Sequence, residues 1–162
     1  MSKTTYQYKF ALLFDRLTPL YDLFRVLGIR NRLQQRLWPQ VTITSGSRVL
    51  DVGCGTGDDL IYLASHYPGL FLTGVDGDQK VLAIAKNKAK NRNIKINFQV
   101  SLAESLPFKK HSFDVVWSSL MVHHLPTKYK PLALKEMHRV LKPDGQLYLV
   151  DFDLIKNRII RN

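Results

Sequence analysis

Two hydrophobic periodicities divide the chain. Up to about Trp38 the apolar positions recur at helical spacing: Phe10, Leu13, Phe14 and Leu17 fall at i, i+3, i+4 and i+7. Thr18 and Pro19 interrupt, and Leu20, Tyr21, Phe24 and Leu27 repeat the spacing until Gly28. Leu33 and Leu37 predict a short third helix before Pro39. From Ser47 the pattern changes. Residues 48–52 read as a buried strand, 53–57 as a loop, and 58–66 as a helix with Leu60, Ile61, Leu63 and Ala64 facing inward. A second strand is predicted over 70–75. A second helix follows, capped by Asp78 and marked by Val81, Leu82 and Ala85. A third strand is predicted over 94–100 and a fourth over 113–117. Thr127 stands where it can cap a helix running through Leu132, Met137, Val140 and Leu141. Lys142-Pro143-Asp144-Gly145 then turns the chain into a fifth strand, 146–152.

Strands alternating with helices predict βαβ units, hence an α/β fold with a mostly parallel sheet and helices on both faces. The expected organisation is a helical segment over 1–46 and one compact sheet domain over 47–162. Ligands of such sheets bind at the carboxyl ends of the strands, near the switch in strand order. The stretch LDVGCGTGDDL, which follows the first strand, is therefore expected at the binding edge.

Glycines let backbone approach a ligand closely and turn tightly into a helix. A nucleoside-triphosphate loop requires G-x-x-x-x-G-K-[ST], and no Lys follows Gly57. A dinucleotide loop requires G-x-G-x-x-G. Gly53 and Gly55 fit, but the third place holds Asp58, whose carboxylate repels a pyrophosphate. Asp51, Asp58 and Asp59 suit this mouth to a ligand carrying positive charge. Asp76, in GVDGD, lies 23 positions beyond Gly53, close to the ~20 expected of an acid that accepts hydrogen bonds from a ribose. A phosphate-free adenosine-type nucleoside with a cationic portion satisfies all of these. S-adenosylmethionine is such a molecule.

Composition narrows the class without choosing the acceptor. The 162 residues suffice for one domain with its own core, and 45% are apolar. No apolar run approaches the ~20 residues of a membrane span. MSKTTYQYKF lacks the apolar centre of a signal peptide, and the single Cys54 excludes an internal disulfide, so a cytoplasmic location is expected. The net charge of +11 is spread along the chain: Arg25, Arg30, Arg32 and Arg36 near the start, Lys86, Lys88, Lys90, Arg92 and Lys95 in the middle, Lys156, Arg158 and Arg161 near the end. Such a surface attracts nucleic acid, anionic lipid or an acidic small molecule, or is simply well solvated.

The segments V-L-D-V-G-C-G-T-G-D, G-V-D-G-D, A-E-S-L-P-F, F-D-V-V-W-S-S-L-M-V-H-H-L and E-M-H-R-V-L-K-P-D-G-Q-L, in this order from about Ser47 to Phe152, resemble the class I S-adenosylmethionine-dependent methyltransferases. Within that class the chain looks most like the ubiquinone/menaquinone-biosynthesis group, through F-D-R-L-T-P-L-Y-D and the G-T-G-D variant of the loop. The resemblance implies a Rossmann-like sheet with the N-terminal helices as a lid. It implies that Asp51, Gly53, Cys54, Gly55, Thr56 and Gly57 border the methionine part of the cofactor, with Cys54 a small packing residue. Asp76, with Gly77 beside it, would hold the ribose. Ala103 and Glu104 would edge the adenine, Ser118 and Ser119 would lie beside the methyl donor, and Tyr21 would close over the cofactor. Asp114 reads as structural. His123 and His124 are the nearest candidates for a base, because a neutral imidazole suits proton removal near pH 7. They do not form a metal site, since no further ligands stand at useful spacing.

Some acceptors are disfavoured. DNA amino-methylating enzymes resemble one another in an Asp/Asn-Pro-Pro-aromatic segment after the fourth strand, where this chain has Ser-Ser-Leu-Met. Cytosine-C5 enzymes use a cysteine nucleophile, and Cys54 stands in another loop. Phe10, Phe14, Tyr21 and Phe24, flanked by arginines, read either as ordinary core contacts or as an apolar face suited to a small-molecule, quinone-precursor or lipid acceptor, met in the cytoplasm or at the inner membrane surface. The other reading is a cofactor-binding but inactive module, or a subunit of an RNA methyltransferase. Members of the class typically continue past the fifth strand with a further helix and two strands, and the sheet of this sequence, read to Asn162, is expected without them. The fifth strand is therefore expected as an uncovered edge, which a homodimer would bury.

Overall fold

The computed structural model describes residues 41 and 43–151. Residues 1–40 and 42 of the expected N-terminal helical lid, Tyr21 among them, and residues 152–162 lie outside the described residues.

Five strands form one sheet in which every pairing is parallel: β1 (Arg48–Val52), β2 (Phe71–Asp76), β3 (Asn97–Val100), β4 (Phe113–Ser119) and β5 (Leu141–Val150). Their order is β3-β2-β1-β4-β5, so the direction of strand addition reverses between β1 and β4. Helix α1 (Asp58–His66) joins β1 to β2, α2 (Gln79–Asn91) joins β2 to β3, and α3 (Lys130–Val140) precedes β5. A short 3-10 turn spans Val122–His124.

The core lies on both faces of the sheet, which is why the strands are apolar runs rather than alternating ones. Val49, Leu72, Phe98, Val115 and Trp117 pack on one face with Leu60 and Leu63 of α1 and Leu82, Ala85 and Ala89 of α2. Leu50, Val52, Val75 and Val116 pack on the other with Ala133, Met137 and Val140 of α3. Each fully buried Leu or Val contributes about 1.5–3 kcal/mol, so a charge introduced on either face disrupts it.

Strand β1 and helix α1 fall where the apolar pattern puts them, and Asp78 caps α2 by accepting from the Lys80 and Val81 N–H groups. Other boundaries differ, β2 by one residue at each end and β5 by ending at Val150. Strand β3 begins at Asn97 rather than at 94, because the Ile94 N–H is still bonded to Ala89 O at the end of α2. Strand β4 runs two residues further, to Ser119. Thr127 does not cap α3. Residues 126–129 form a turn closed by Tyr129 N–H to Pro126 O, and the helix starts at Lys130 with Pro131 in its first turn, where a missing N–H costs nothing. Finally, Leu141 belongs to β5 and pairs with Phe113. The register then slips so that Val115 faces Gln146, and the expected turn 142–145 stands out of the ladder as an irregularity within the strand. Lys142 Nζ reaches Asp114 Oδ1 at 2.6 Å, and Asp114 Oδ2 takes the Arg48 N–H at 2.9 Å, so Asp114 joins three strands and is structural.

Candidate functional site

The carboxyl ends of β1, β2 and β4 converge on the loop 53–57. Gly53, Gly55 and Gly57 have φ of 75°, 54° and 75°, left-handed values that cost a residue with a side chain roughly 1–2 kcal/mol. The Gly53 and Cys54 N–H groups both bond Val75 O, at 2.8 and 3.0 Å, so the loop folds back over the end of β2. The Gly55 N–H donates to Asp76 Oδ2 at 2.9 Å, and Asp76 Oδ1 accepts from the Asp78 N–H at 2.9 Å. A Cβ at Gly55 would meet nothing within 4 Å, so this part of the loop borders open space. Gly77 follows Asp76 and is half-buried.

Burial pushes the Asp76 carboxyl above its usual range, against the N–H groups of Asp78, Gly55 and Gly77 that favour its charged form. The Cys54 thiol is pushed well up by burial and then by the charges of Asp51 and Asp76. It is therefore a packing thiol rather than a nucleophile.

The acidic mouth is narrower than its sequence suggests. Asp58 forms an ion pair with Lys88 of α2 at 3.2 Å, and the same ammonium bonds Thr56 Oγ1 at 2.9 Å. The Thr56 hydroxyl in turn donates to Asp58 Oδ2 at 3.1 Å. Asp59 points inward, where its Oδ2 accepts from Trp117 Nε1 at 3.3 Å. Asp51, 2% exposed, pairs in register with Trp117. Asp58 thus ties the loop to α2 and Asp59 ties α1 to β4, while Asp76 is the half-buried acid at the strand ends.

The segment after β3 continues the site. The Ser101 N–H bonds Asp76 O at 3.0 Å. Ala103 is buried, and Glu104 Oε2 is a buried oxygen with no hydrogen-bond partner among the described residues. A buried acceptor left unpaired costs about 1–3 kcal/mol, so this oxygen fits a ligand that brings an N–H donor. Ser118 and Ser119 are the last residues of β4 rather than residues beyond it. Ser118 is fully buried and its hydroxyl donates to Val52 O at 2.8 Å, tying β4 to β1 beneath the loop, while Ser119 is half-buried.

The rings of His123 and His124, in the 3-10 turn after β4, lie with centroids 3.9 Å apart and are tilted at 42° to each other. Asp151, at the end of β5, holds His123 twice: its Oδ2 takes the His123 N–H at 2.9 Å and its Oδ1 lies 2.6 Å from Nδ1. Burial, and then the neighbouring His123, hold the His124 imidazole below its usual range. Asp151 was not anticipated from the sequence. The signal was available, since it stands just past the last residue of its strand much as Asp76 ends β2. The contact of Lys88 with the loop was not legible, because a lysine-rich run does not show which lysine turns inward.

The model of a family described as "Methyltransferase domain" matches residues 49–145. The chain is 32% identical over 155 residues to a demethylmenaquinone methyltransferase of Lactobacillus johnsonii, covering 92% of this chain and 63% of that protein. It is 33% identical over 126 residues to the 27-O-demethylrifamycin SV methyltransferase of Amycolatopsis mediterranei, covering 76% and 45%. The crystal structure of a putative methyltransferase from Bacillus halodurans superimposes with a TM-score of 0.69 at 26% identity, covering 76% of this chain and 52% of that one. The chain thus spans less than two thirds of the length of these relatives.

Proposed function

The chain belongs to the class I S-adenosylmethionine-dependent methyltransferase family, and on that premise we propose that it transfers a methyl group to a small-molecule acceptor of the quinone-precursor kind. S-adenosylmethionine, when bound, supplies a methyl group already activated on a sulfonium. The residues therefore have mainly to hold and align. The 53–57 loop presents backbone along the methionine part, with Asp51, Thr56 and Cys54 behind it. Asp76 holds the ribose hydroxyls with Gly77 beside it, and Ala103 and Glu104 edge the adenine. Ser118 and Ser119 support the floor at the end of β4. The observation that carries this reading is the unpartnered buried Oε2 of Glu104, on the segment that starts from the hydrogen bond between Ser101 and Asp76.

Alignment supplies an effective molarity of ~10⁵–10⁸ M. A base is needed where the acceptor carries a proton, and His123 takes that role in this reading. An ionised Asp151 accepts from Nδ1–H, which leaves the Nε2 lone pair available for the proton. His124, held toward its neutral form, packs against it.

Two finer readings accompany this. Leu147 and Leu149 of β5 are 37% and 43% exposed, which supports a second copy packing on that edge. Light scattering at tens of micromolar would show a dimer, and monomer alone would contradict it. The charge of +11 supports acceptors met at an anionic membrane surface inside the cell, without insertion. No helix among the described residues is long and apolar enough to cross a membrane. A labelled-methyl screen against quinone precursors, phospholipids and bulk RNA tests the acceptor class. Label in the quinone precursors is expected, and label in RNA alone would overturn it.

A further inference from the structure

Helix α3 grips the segment that carries Glu104. The Arg139 guanidinium donates to both oxygens of Glu136, from Nε at 2.6 Å and from Nη2 at 2.7 Å. Its Nη1 reaches Phe108 O at 2.8 Å and its Nη2 reaches Leu106 O at 3.0 Å. Glu136 Oε2 completes the ring by accepting the Leu106 N–H at 2.9 Å. One planar side chain thus fixes two carbonyls of a segment that has no strand or helix of its own, and its partner Glu136 fixes the Leu106 N–H. At the other end, the Ser101 N–H is bonded to Asp76 O. Glu104 lies between these anchors with a buried, unpartnered oxygen.

We infer that Arg139 is the positioning residue for adenine recognition: through Glu136, Leu106 and Phe108 it sets where the Glu104 carboxylate stands to receive the exocyclic amine. This rests on the proposed S-adenosylmethionine site. The physical reason is geometric. An oxygen selects an N–H donor only if held to within a few tenths of an ångström, and a segment anchored at one end alone does not hold it. Lysine at 139 keeps the charge toward Glu136 but loses the planar fork that serves a carboxylate and two carbonyls together.

The test compares two ligands by calorimetry, without turnover. S-adenosylhomocysteine carries the amine, and its inosine analogue carries a carbonyl oxygen in its place, which a carboxylate repels. The wild-type chain is expected to favour the amine by at least about tenfold. Arg139→Lys and Glu136→Gln are each expected to bring that ratio toward one while both ligands still bind. The two variants are used together because either alone could compromise folding, and thermal unfolding of each without ligand identifies a folded sample. A ratio unchanged in both variants overturns the positioning role and leaves the proposed function standing. Failure of the wild-type chain to bind either ligand overturns the proposed function, and this inference with it.

Discussion

A Cβ on Gly53 would lie 2.2 Å from Met121 Cγ and 2.7 Å from Met121 Cβ. The loop after β1 and the segment after β4 are therefore packed with no space for even a methyl group. Gly55, two residues on, has a positive φ as well, yet a Cβ there meets nothing within 4 Å. The same substitution therefore has two different outcomes. Gly53→Ala is expected to cost about 2–4 kcal/mol, combining the left-handed backbone with overpacking against Met121. Gly55→Ala is expected to cost about 1–2 kcal/mol from the backbone alone, while weakening S-adenosylhomocysteine binding by entering the ligand's space. Chemical denaturation and calorimetry on the two variants check this. Equal loss of stability in both would contradict it.

The lowered pKa of His124 gives a pH dependence with a defined sign. The folded state holds this imidazole below its ordinary value of 6.5, so between the folded and unfolded pKa values the unfolded chain binds more protons. Stability from this group is fully present above about pH 6.5 and is lost as pH falls through the folded pKa. Unfolding free energy is expected to rise from pH 5.5 to 7.5, and His124→Gln is expected to flatten that rise. A slope unchanged in the variant would assign the effect to another group.

The pairing of His123 with Asp151 predicts a linked loss. With an acceptor that must give up a proton, His123→Ala and Asp151→Asn are each expected to lower kcat by about 10²–10⁴-fold. S-adenosylhomocysteine affinity should change little, because neither side chain belongs to the proposed cofactor contacts. The double variant is expected to lose no more than the worse single one. Full additivity in labelled-methyl transfer would mean that Asp151 does not act through His123.

The sequence made the sheet legible because buried parallel strands leave continuous apolar runs, and the order strand, helix, strand left few alternatives for β1, α1, β2 and α2. It made the glycine loop and Asp76 legible because a left-handed turn and a strand-end acid need those residue types. It failed where the determining contact lies far along the chain. Thr127 has the chemistry of a cap, but the turn closed by Pro126 and Tyr129 places the cap position two residues later, at Tyr129. Asp58 and Asp59 read as acids for a ligand until Lys88 and Trp117 are seen beside them. The grip of Arg139 on Leu106 and Phe108 spans more than thirty positions and leaves no local pattern.

The most direct measurement is calorimetric titration of S-adenosylhomocysteine into the wild-type chain and into Asp76→Ala. One site per chain is expected, with affinity falling by roughly 30-fold or more when the carboxylate is removed, in line with charged hydrogen bonds worth about 2–3 kcal/mol. Unchanged affinity in Asp76→Ala, or no binding to the wild-type chain at millimolar ligand, would contradict it.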